Sequence, residues 1–253
     1  PPMPMIRLRN MILAKMLSEK RDLSDWKNGL LPVLAILSPA LLLVGAQPDV
    51  GTLSILVVII FVVLYLANTP KAYLAILALL GVVAFVGLLL VAPYRVKRLT
   101  TFLHPELDPQ GIGYQINQAY LAVGSGGLWG LGLGHSRQKF QYLPEVQADS
   151  IFAVIAEEMV LLKTSFLVIL ITFLGLRGFR IAKGSPDEFG RLLGAGIMVW
   201  FIWQSFLNIA TIIGLLPLTG VPLPFVSHGG TAMLIGLASI GIVASISKYS
   251  SVK

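Results

Sequence analysis

The stretch Tyr142-Leu-Pro-Glu-Val-Gln-Ala-Asp149-Ser-Ile-Phe-Ala-Val-Ile-Ala-Glu157-Glu158 carries a polar loop straight into an apolar run of membrane length. Asp149 stands at the junction, where a carboxylate meets both water and lipid headgroups. It is therefore a candidate for acid–base chemistry at a membrane surface. The alternative is a helix N-cap, because aspartate accepts hydrogen bonds from the first free N–H groups of a helix and favours its positive end.

The composition of the whole chain indicates an integral membrane protein. Hydrophobic residues make up 56% of the 253 residues and charged residues only 12%, against about 25% charged in a typical soluble domain. The mean hydropathy is +0.83. The absence of cysteine excludes disulfides, Cys-ligated zinc and thiol catalysis, and the three histidines show no metal-ligand spacing.

Six apolar segments are candidates for membrane spans of about 20 residues. We therefore predict an all-α polytopic membrane protein, with residues 1–253 forming a single membrane domain. The predicted spans are 29–46, 51–68, 72–93, 151–176, 190–216 and 230–247. The first residues lack the layout of a cleavable signal peptide, and we expect the chain to be part of something longer.

The positions of the basic residues predict the orientation. With both termini in the cytoplasm, most of the 19 lysines and arginines fall inside, as the positive-inside rule requires. The net charge of +7 is then topogenic, and anionic lipids rather than nucleic acid are the expected counter-ions.

Two segments then share the outer face. Segment 94–150 is too polar to span, and we expect it to form a large extracytoplasmic loop that carries short helices. Loop 217–229 contains three prolines and little polarity. Irregular backbone at membrane depth is tolerated only when buried in protein or lining a wet cavity. Loop 217–229 is therefore predicted to fold back on the helices and to wall a cavity together with 94–150.

Four blocks of sequence, in chain order, carry a family resemblance. They are Gln47-Pro-Asp-Val-Gly-Thr52; Arg98-Leu-Thr-Thr-Phe-Leu-His-Pro105 with Asp108-Pro-Gln-Gly-Ile-Gly-Tyr-Gln115; the glycine-rich run from Gly124 through Gly132-Leu-Gly-His-Ser-Arg-Gln-Lys139 and Tyr142-Leu-Pro-Glu145 to Asp149; and Asn208 through Gly214-Leu-Leu-Pro-Leu-Thr-Gly220 to Pro222-Leu-Pro-Phe-Val-Ser-His-Gly-Gly230. Together they resemble the FtsW/RodA/SpoVE family, the SEDS proteins of bacterial wall synthesis. The sequence of residues 132–139 resembles the division branch of the family, FtsW, more than the elongation branch.

The resemblance implies a ten-helix bundle, and we expect this chain to correspond to its last six helices, without the N-terminal ones. It also implies a peptidoglycan glycosyltransferase in the bacterial plasma membrane that polymerises lipid II into glycan strands during cell division or wall growth. The implied partners are lipid II, undecaprenyl-linked glycan, a class B penicillin-binding protein acting as transpeptidase, and other division proteins.

The implied reaction needs a base and cations. The base takes a proton from the sugar hydroxyl that attacks an anomeric carbon, and cations stabilise the departing lipid pyrophosphate. Asp149 matches the family's essential aspartate and is the predicted base. Arg95 and Arg98, with Lys97 between them, are suited to the pyrophosphate, or alternatively anchor the chain among headgroups. Arg137 and Lys139 invite the same two interpretations.

Three further residues are candidates for substrate binding. Asp49 belongs to the first block and lies at an outer helix end, where it is alternatively a cap or turn former. Ser227 and His228 belong to the last block, in which His228 stands where the family usually has tyrosine. A divalent cation, Mg or Mn, is compatible with the chemistry, although no ligand motif supports it. Gly124–Gly134 is not a dinucleotide fingerprint, and tight turns with close backbone packing explain it better.

Several polar residues lie inside the predicted membrane spans. Glu157 and Glu158 are ionisable groups in a predicted span, where they are costly unless paired. For at least one of them we expect a hydrogen bond between helices. Trp200, Gln204 and Asn208 recur every four residues as a polar stripe, which we also expect to make contacts between helices.

Two other functions compete with the transferase. The first is a lipid II flippase or transporter, which should show polar residues through several spans, whereas the candidate chemistry here collects at the outer face. The second is a truncated, inactive scaffold that still binds division partners.

Overall fold

The structure is a computed structural model that describes residues 3–19, 23, 25–47, 49–91, 93–127, 130–141, 148–159 and 161–251. Every regular element in these residues is a helix. The prediction of an all-α protein is confirmed.

The helices alternate between long apolar segments and short pieces. They are α1 (Met3–Ser18), a π-helical turn (Trp26–Leu30), α2 (Leu31–Ala46), α3 (Val50–Leu66), α4 (Lys71–Val91), α5 (Pro93–Leu103), a 3₁₀ turn (Pro105–Leu107), α6 (Ile112–Gly126), α7 (Gln138–Gln141), α8 (Ile151–Glu158), α9 (Leu161–Lys183), α10 (Glu188–Ile212) and α11 (Gly230–Ser247).

Four of these helices are long and apolar enough to cross a membrane, so the chain is a multi-pass membrane protein. They are α4, α9, α10 and α11. Helices α2 and α3 are equally apolar but have only 16 and 17 residues. The predicted span 230–247 coincides with α11, and the predictions 72–93 and 190–216 match α4 and α10 to within a few residues.

The prediction of one continuous helix over 151–176 is wrong. The segment is divided into α8 and α9, with Met159 in an extended conformation (φ −98°, ψ 137°) at the break. Hydropathy cannot reveal this break because both halves are apolar. It depends on hydrogen bonds from a distant loop, which belong to the site described below.

The chain forms two compact units. Unit 1 contains Pro1–Leu88, Leu174–Trp203 and Thr231–Lys253, and unit 2 contains Leu89–Phe173 and Gln204–Gly230. In unit 1, α1, α2 and α3 pack against one another. Arg191 of α10 donates to the carbonyl of Leu66 at the end of α3 (3.1 Å) and pairs with Glu188. It thereby satisfies a carbonyl that the end of α3 leaves free.

Helix α6 organises unit 2, because α5, the 3₁₀ turn and α8 all pack against it. Two glycines permit the close approach. A β-carbon on Gly113 would lie 2.2 Å from the carbonyl oxygen of Pro105, and one on Gly126 would lie 2.2 Å from that of Ala156 in α8. Both distances are far below van der Waals contact, so the glycines are required for this packing.

Replacing Gly126 with alanine tests the α6–α8 contact against a matched control in the same helix. A β-carbon on Gly124 meets nothing within 4 Å. We expect Gly126→Ala to destabilise the protein by about 1–3 kcal/mol, the usual effect of overpacking. Gly124→Ala should leave stability unchanged or raise it slightly, because alanine favours helix. Thermal unfolding in detergent measures both, and equal melting temperatures would refute the described packing.

Candidate functional site

Asp149 lies in a turn that immediately precedes α8. The N-cap position is held by Ser150, whose side chain makes no capping hydrogen bond, so the alternative interpretation of Asp149 as an N-cap residue is wrong by one position. Asp149 is partly exposed, and its Oδ1 accepts a hydrogen bond from Ser150 Oγ (3.4 Å). The turn therefore presents a carboxylate at the start of a short helix rather than at the start of a membrane-length one.

A buried amide of α10 holds the backbone of this turn. Asn208 Nδ2 donates to the carbonyl oxygens of both Asp149 (2.7 Å) and Val221 (2.8 Å). One turn earlier, Gln204 Nε2 donates to the carbonyl of Pro222 (2.8 Å). The expectation that these amides make contacts between helices is therefore wrong, since their partners are backbone carbonyls of a turn and a loop.

The loop between α10 and α11 reaches the carboxylate through Gly220. This residue has a positive φ of 68°, and a β-carbon on it would lie 3.8 Å from Asp149 Oδ2. The backbone of the loop thus lies directly beside the Asp149 side chain. The hydrogen bonds of Val221 and Pro222 place this part of the loop against α10, the helix that precedes it.

Ser227 and His228 have different environments in the same loop. Ser227 is buried, and its hydroxyl oxygen accepts a hydrogen bond from the backbone N–H of Leu223 (2.8 Å). It therefore closes a turn within the loop. His228 is exposed.

Helix α6 connects the Asp149 turn with the basic helix α5. Gln115 of α6 donates to Ser150 Oγ (3.4 Å), and α5 packs on the same helix. Arg95 of α5 is only 7% exposed; its Nε donates to the Tyr94 hydroxyl (2.7 Å), and its guanidinium lies 5.3 Å from the centre of that ring. Arg98 is half-buried.

The break between α8 and α9 is stabilised by the glycine-rich segment that follows α6. The N–H of Leu131 donates to the carbonyl of Glu157 (3.0 Å), and the N–H of Gly132 donates to that of Glu158 (3.1 Å). These are carbonyls that the end of a helix leaves without intrahelical partners. Gly130, Gly132 and Gly134 all have positive φ, in agreement with the prediction of tight turns.

The side chains of the two glutamates hold the same segment. Glu157 is 1% exposed and accepts from Ser136 Oγ (2.6 Å) and from the N–H of Arg137 (3.0 Å). Glu158 accepts from the N–H of Ser136 (3.3 Å) and lies 3.8 Å from Lys139 Nζ. The predicted structural hydrogen bonds are present, but they run to a loop and not to another helix.

Arg137 and Lys139 are consequently attached to a fixed backbone. Both are exposed, so their charges are available at the surface of unit 2 even though Lys139 contacts Glu158. The motif residues 142–147, which lead from Lys139 towards Asp149, lie outside the described residues.

Asp49 caps a helix in unit 1. Its carboxylate accepts from the N–H of Thr52 (2.8 Å) and from Thr52 Oγ1 (2.6 Å) at the start of α3. This is the cap alternative that the sequence left open. In the described part of the chain, no group of three or more histidines, aspartates and glutamates is placed to hold a metal ion.

Two contacts of this site were beyond sequence reasoning. Asn208 is recognisable from the sequence as a polar residue in an apolar helix. Its carbonyl partners, Asp149 and Val221, are distant in sequence and could not be predicted. Ser136 gave no local signal, because its role depends on Glu157 21 residues later.

Replacing Ser136 with alanine tests the attachment of segment 130–139 to the glutamates. The change removes one of the hydrogen bonds to a buried carboxylate, which costs about 1–3 kcal/mol. Hydrogen exchange across 131–139 should accelerate accordingly. The control is Ser125→Ala, because among the described residues exposed Ser125 donates only to the Ala122 carbonyl within its own helix (3.0 Å). Unchanged exchange in Ser136→Ala would contradict the described anchoring.

Comparison with known proteins places these features in a family. The FtsW/RodA/SpoVE family, described as cell cycle protein, matches residues 6–252. Stage V sporulation protein E of Bacillus subtilis is 44% identical over 239 residues, which cover 94% of this chain and 65% of that protein. A probable peptidoglycan glycosyltransferase FtsW of a Geobacter species is 35% identical, with 94% and 65% covered. The chain thus spans slightly less than two thirds of the length of both relatives.

Solved structures share the fold. One, described as the structural coordination of polymerization and crosslinking by a peptidoglycan synthase complex, aligns with a TM-score of 0.76 at 24% identity and covers 100% of this chain and 71% of its own. A crystal structure of a mutant of the rod shape determining protein RodA of Thermus thermophilus aligns with a TM-score of 0.63 at 23% identity, covering 98% and 67%. Because a family match spans nearly the whole chain and the relatives agree with it, this protein belongs to the FtsW/RodA/SpoVE family.

Proposed function

We propose that this chain is the catalytic part of a peptidoglycan glycosyltransferase that polymerises lipid II into glycan strands. The observation that carries the proposal is the placement of Asp149. Its carboxylate is partly exposed, lies against the backbone of Gly220, and stands on a turn whose carbonyl is hydrogen-bonded to α10. Relatives named probable peptidoglycan glycosyltransferase support the reaction type.

Asp149 acts as the general base in this proposal. It takes the proton of the acceptor sugar hydroxyl while that oxygen attacks the anomeric carbon of the donor, and the bond from that carbon to the lipid pyrophosphate breaks. Attack from the side opposite the leaving group inverts the anomeric centre. A positioned base contributes about 10²–10⁴-fold to such a reaction.

Basic residues of unit 2 neutralise the leaving pyrophosphate in this proposal. Arg137 and Lys139 present exposed charges on a segment fixed by two glutamates, and Arg98 is half-buried on α5. Arg95 is buried and bonded to Tyr94, so we assign it a structural role within α5 rather than direct contact with the pyrophosphate. Ser227 shapes the loop beside the site, and exposed His228 is available to a substrate sugar. No step of the proposal runs through a metal ion.

We place 94–150 and 217–229 on the outer face of the bacterial plasma membrane and both termini in the cytoplasm. The distribution of basic residues supports this orientation. The candidate site then binds lipid II on the outer face of the membrane, where the wall polymer is assembled. The structural similarity to a peptidoglycan synthase complex that coordinates polymerization and crosslinking supports a penicillin-binding transpeptidase as the partner.

A lipid II flippase is the second candidate, and one observation favours it. The apolar segment 151–183 is interrupted at Met159 beside two glutamates, and interrupted membrane helices are common at transporter sites. Against a transport role, both glutamates accept hydrogen bonds from Ser136 or Arg137, and Glu158 also pairs with Lys139. The transferase therefore accounts for more of the arrangement.

The variant Asp149→Asn separates the two functions. It keeps the size of the side chain but removes the base, so glycan strand synthesis from lipid II by the purified protein should fall at least about a hundredfold. The matched control is Asp187→Asn, because Asp187 also accepts at a helix start, from the N–H of Gly190 and from Ser185 Oγ, and asparagine caps helices equally well. That control should retain full activity.

Other outcomes have distinct meanings. Equal polymerisation by the parent and Asp149→Asn would eliminate Asp149 as the base. Movement of lipid II across proteoliposome membranes without polymerisation would favour the flippase. Binding of partner helices without either activity would favour the inactive scaffold.

A further inference from the structure

One buried amide joins the two pieces of backbone that meet at the candidate site. Asn208 is 1% exposed, and its Nδ2 donates to Asp149 O at 2.7 Å and to Val221 O at 2.8 Å. Both neighbours are carbonyl oxygens, which only accept hydrogen bonds, so the NH₂ group and not the oxygen of the amide must face them. We call this pair of hydrogen bonds the Asn208 bridge.

The bridge holds the backbone on both sides of the carboxylate. One hydrogen bond ends on the carbonyl of Asp149 itself, and the other ends on the residue that follows Gly220. Gly220 is the residue whose β-carbon would lie 3.8 Å from Asp149 Oδ2. A single side chain therefore joins the Asp149 turn to the loop that faces its carboxylate.

Gln204 provides an internal comparison. It lies one turn away on the same helix, is completely buried, and donates to Pro222 of the same loop at 2.8 Å. It anchors the loop but makes no contact with the Asp149 turn among the described hydrogen bonds. If anchoring of the loop were all that mattered, the two amides would be equivalent.

We propose that Asn208 is a positioning residue for the Asp149 base, acting through the backbone of the Asp149 turn and the Gly220 loop. The inference rests on the proposed transferase function. Asn208 does not touch the reacting atoms; it holds the base at the position from which it accepts the proton. Because a misplacement of about 1 Å can reduce a rate on the order of a hundredfold, the bridge should affect turnover far more than substrate binding.

The test compares Asn208→Leu with Gln204→Met in the full chain, reconstituted in proteoliposomes. Each change removes one amide at roughly constant volume and adds no charge. Hydrogen exchange is measured over 148–152 and 219–223 without substrate, and kcat and KM are measured for lipid II polymerisation. Asn208→Asp, which keeps size and polarity but loses the amide donors, is the second variant in case leucine prevents folding.

We expect Asn208→Leu to accelerate exchange in both segments and to lower kcat about a hundredfold, with KM changed less than about threefold. Gln204→Met should accelerate exchange only in 219–223 and lower kcat less than about threefold. Rescue of kcat is not expected in Asn208→Asp, because a carboxylate donates no hydrogen bond and a protonated carboxyl donates only one, so neither form replaces both bonds of the amide.

Three results would overturn the inference. Unchanged exchange over 148–152 in both Asn208 variants would show that the Asn208 bridge does not hold the Asp149 turn. Accelerated exchange with an unchanged kcat, or equal loss of kcat in the Asn208 and Gln204 variants, would reduce Asn208 to a loop anchor while leaving the transferase in place. A parent that does not polymerise lipid II would instead refute the proposed function, and the positioning role with it.

Discussion

The requirement that irregular backbone inside an apolar protein satisfy its own polar groups governs this structure. Membrane surroundings offer no water to free N–H and C=O groups, and each one left without a partner is costly. The chain meets the requirement twice in unit 2. The carbonyls at the end of α8 accept from the glycine-rich segment, and the carbonyls of the loop after α10 accept from Gln204 and Asn208. The hydrogen bonds fix the backbone at the α8–α9 break and in the loop after α10, and the candidate site residues lie beside these two segments.

The α8–α9 break and the loop after α10 satisfy their backbone carbonyls with different kinds of donor. At the α8–α9 break, backbone N–H groups of the glycine-rich segment donate to the last carbonyls of α8. The buried carboxylate of Glu157 accepts two further hydrogen bonds, from Ser136 Oγ and from the N–H of Arg137. At the loop, side-chain amides of a long helix reach out to carbonyls. In the first case the result is a fixed backbone beneath Arg137 and Lys139. In the second it is a fixed backbone on both sides of Asp149. The candidate base Asp149 and the candidate cation Arg137 are thus each held by a hydrogen bond to their own backbone.

The sequence predicted the helical class and most of the apolar segments, because composition and the runs of apolar residues along the chain indicate those. The prediction for α11 coincides with the helix, and Asp149 was singled out by its place between polar and apolar residues. The break at Met159 and the partners of Asn208 could not be predicted. Hydropathy averages over both halves of 151–176, and each decisive hydrogen bond joins residues far apart in the chain. The sequence indicated which polar residues are unusual in their surroundings but not which backbone atoms they bind.

The most direct test of Asp149 as the base is a structure of the full protein with a bound acceptor analogue of lipid II. We predict that the attacking sugar hydroxyl lies about 2.6–3.2 Å from the Asp149 carboxylate, the reach of a general base, with the loop backbone at Gly220 beside it. A well-ordered acceptor whose attacking hydroxyl faces another group, with the Asp149 carboxylate turned away from it, would contradict this role.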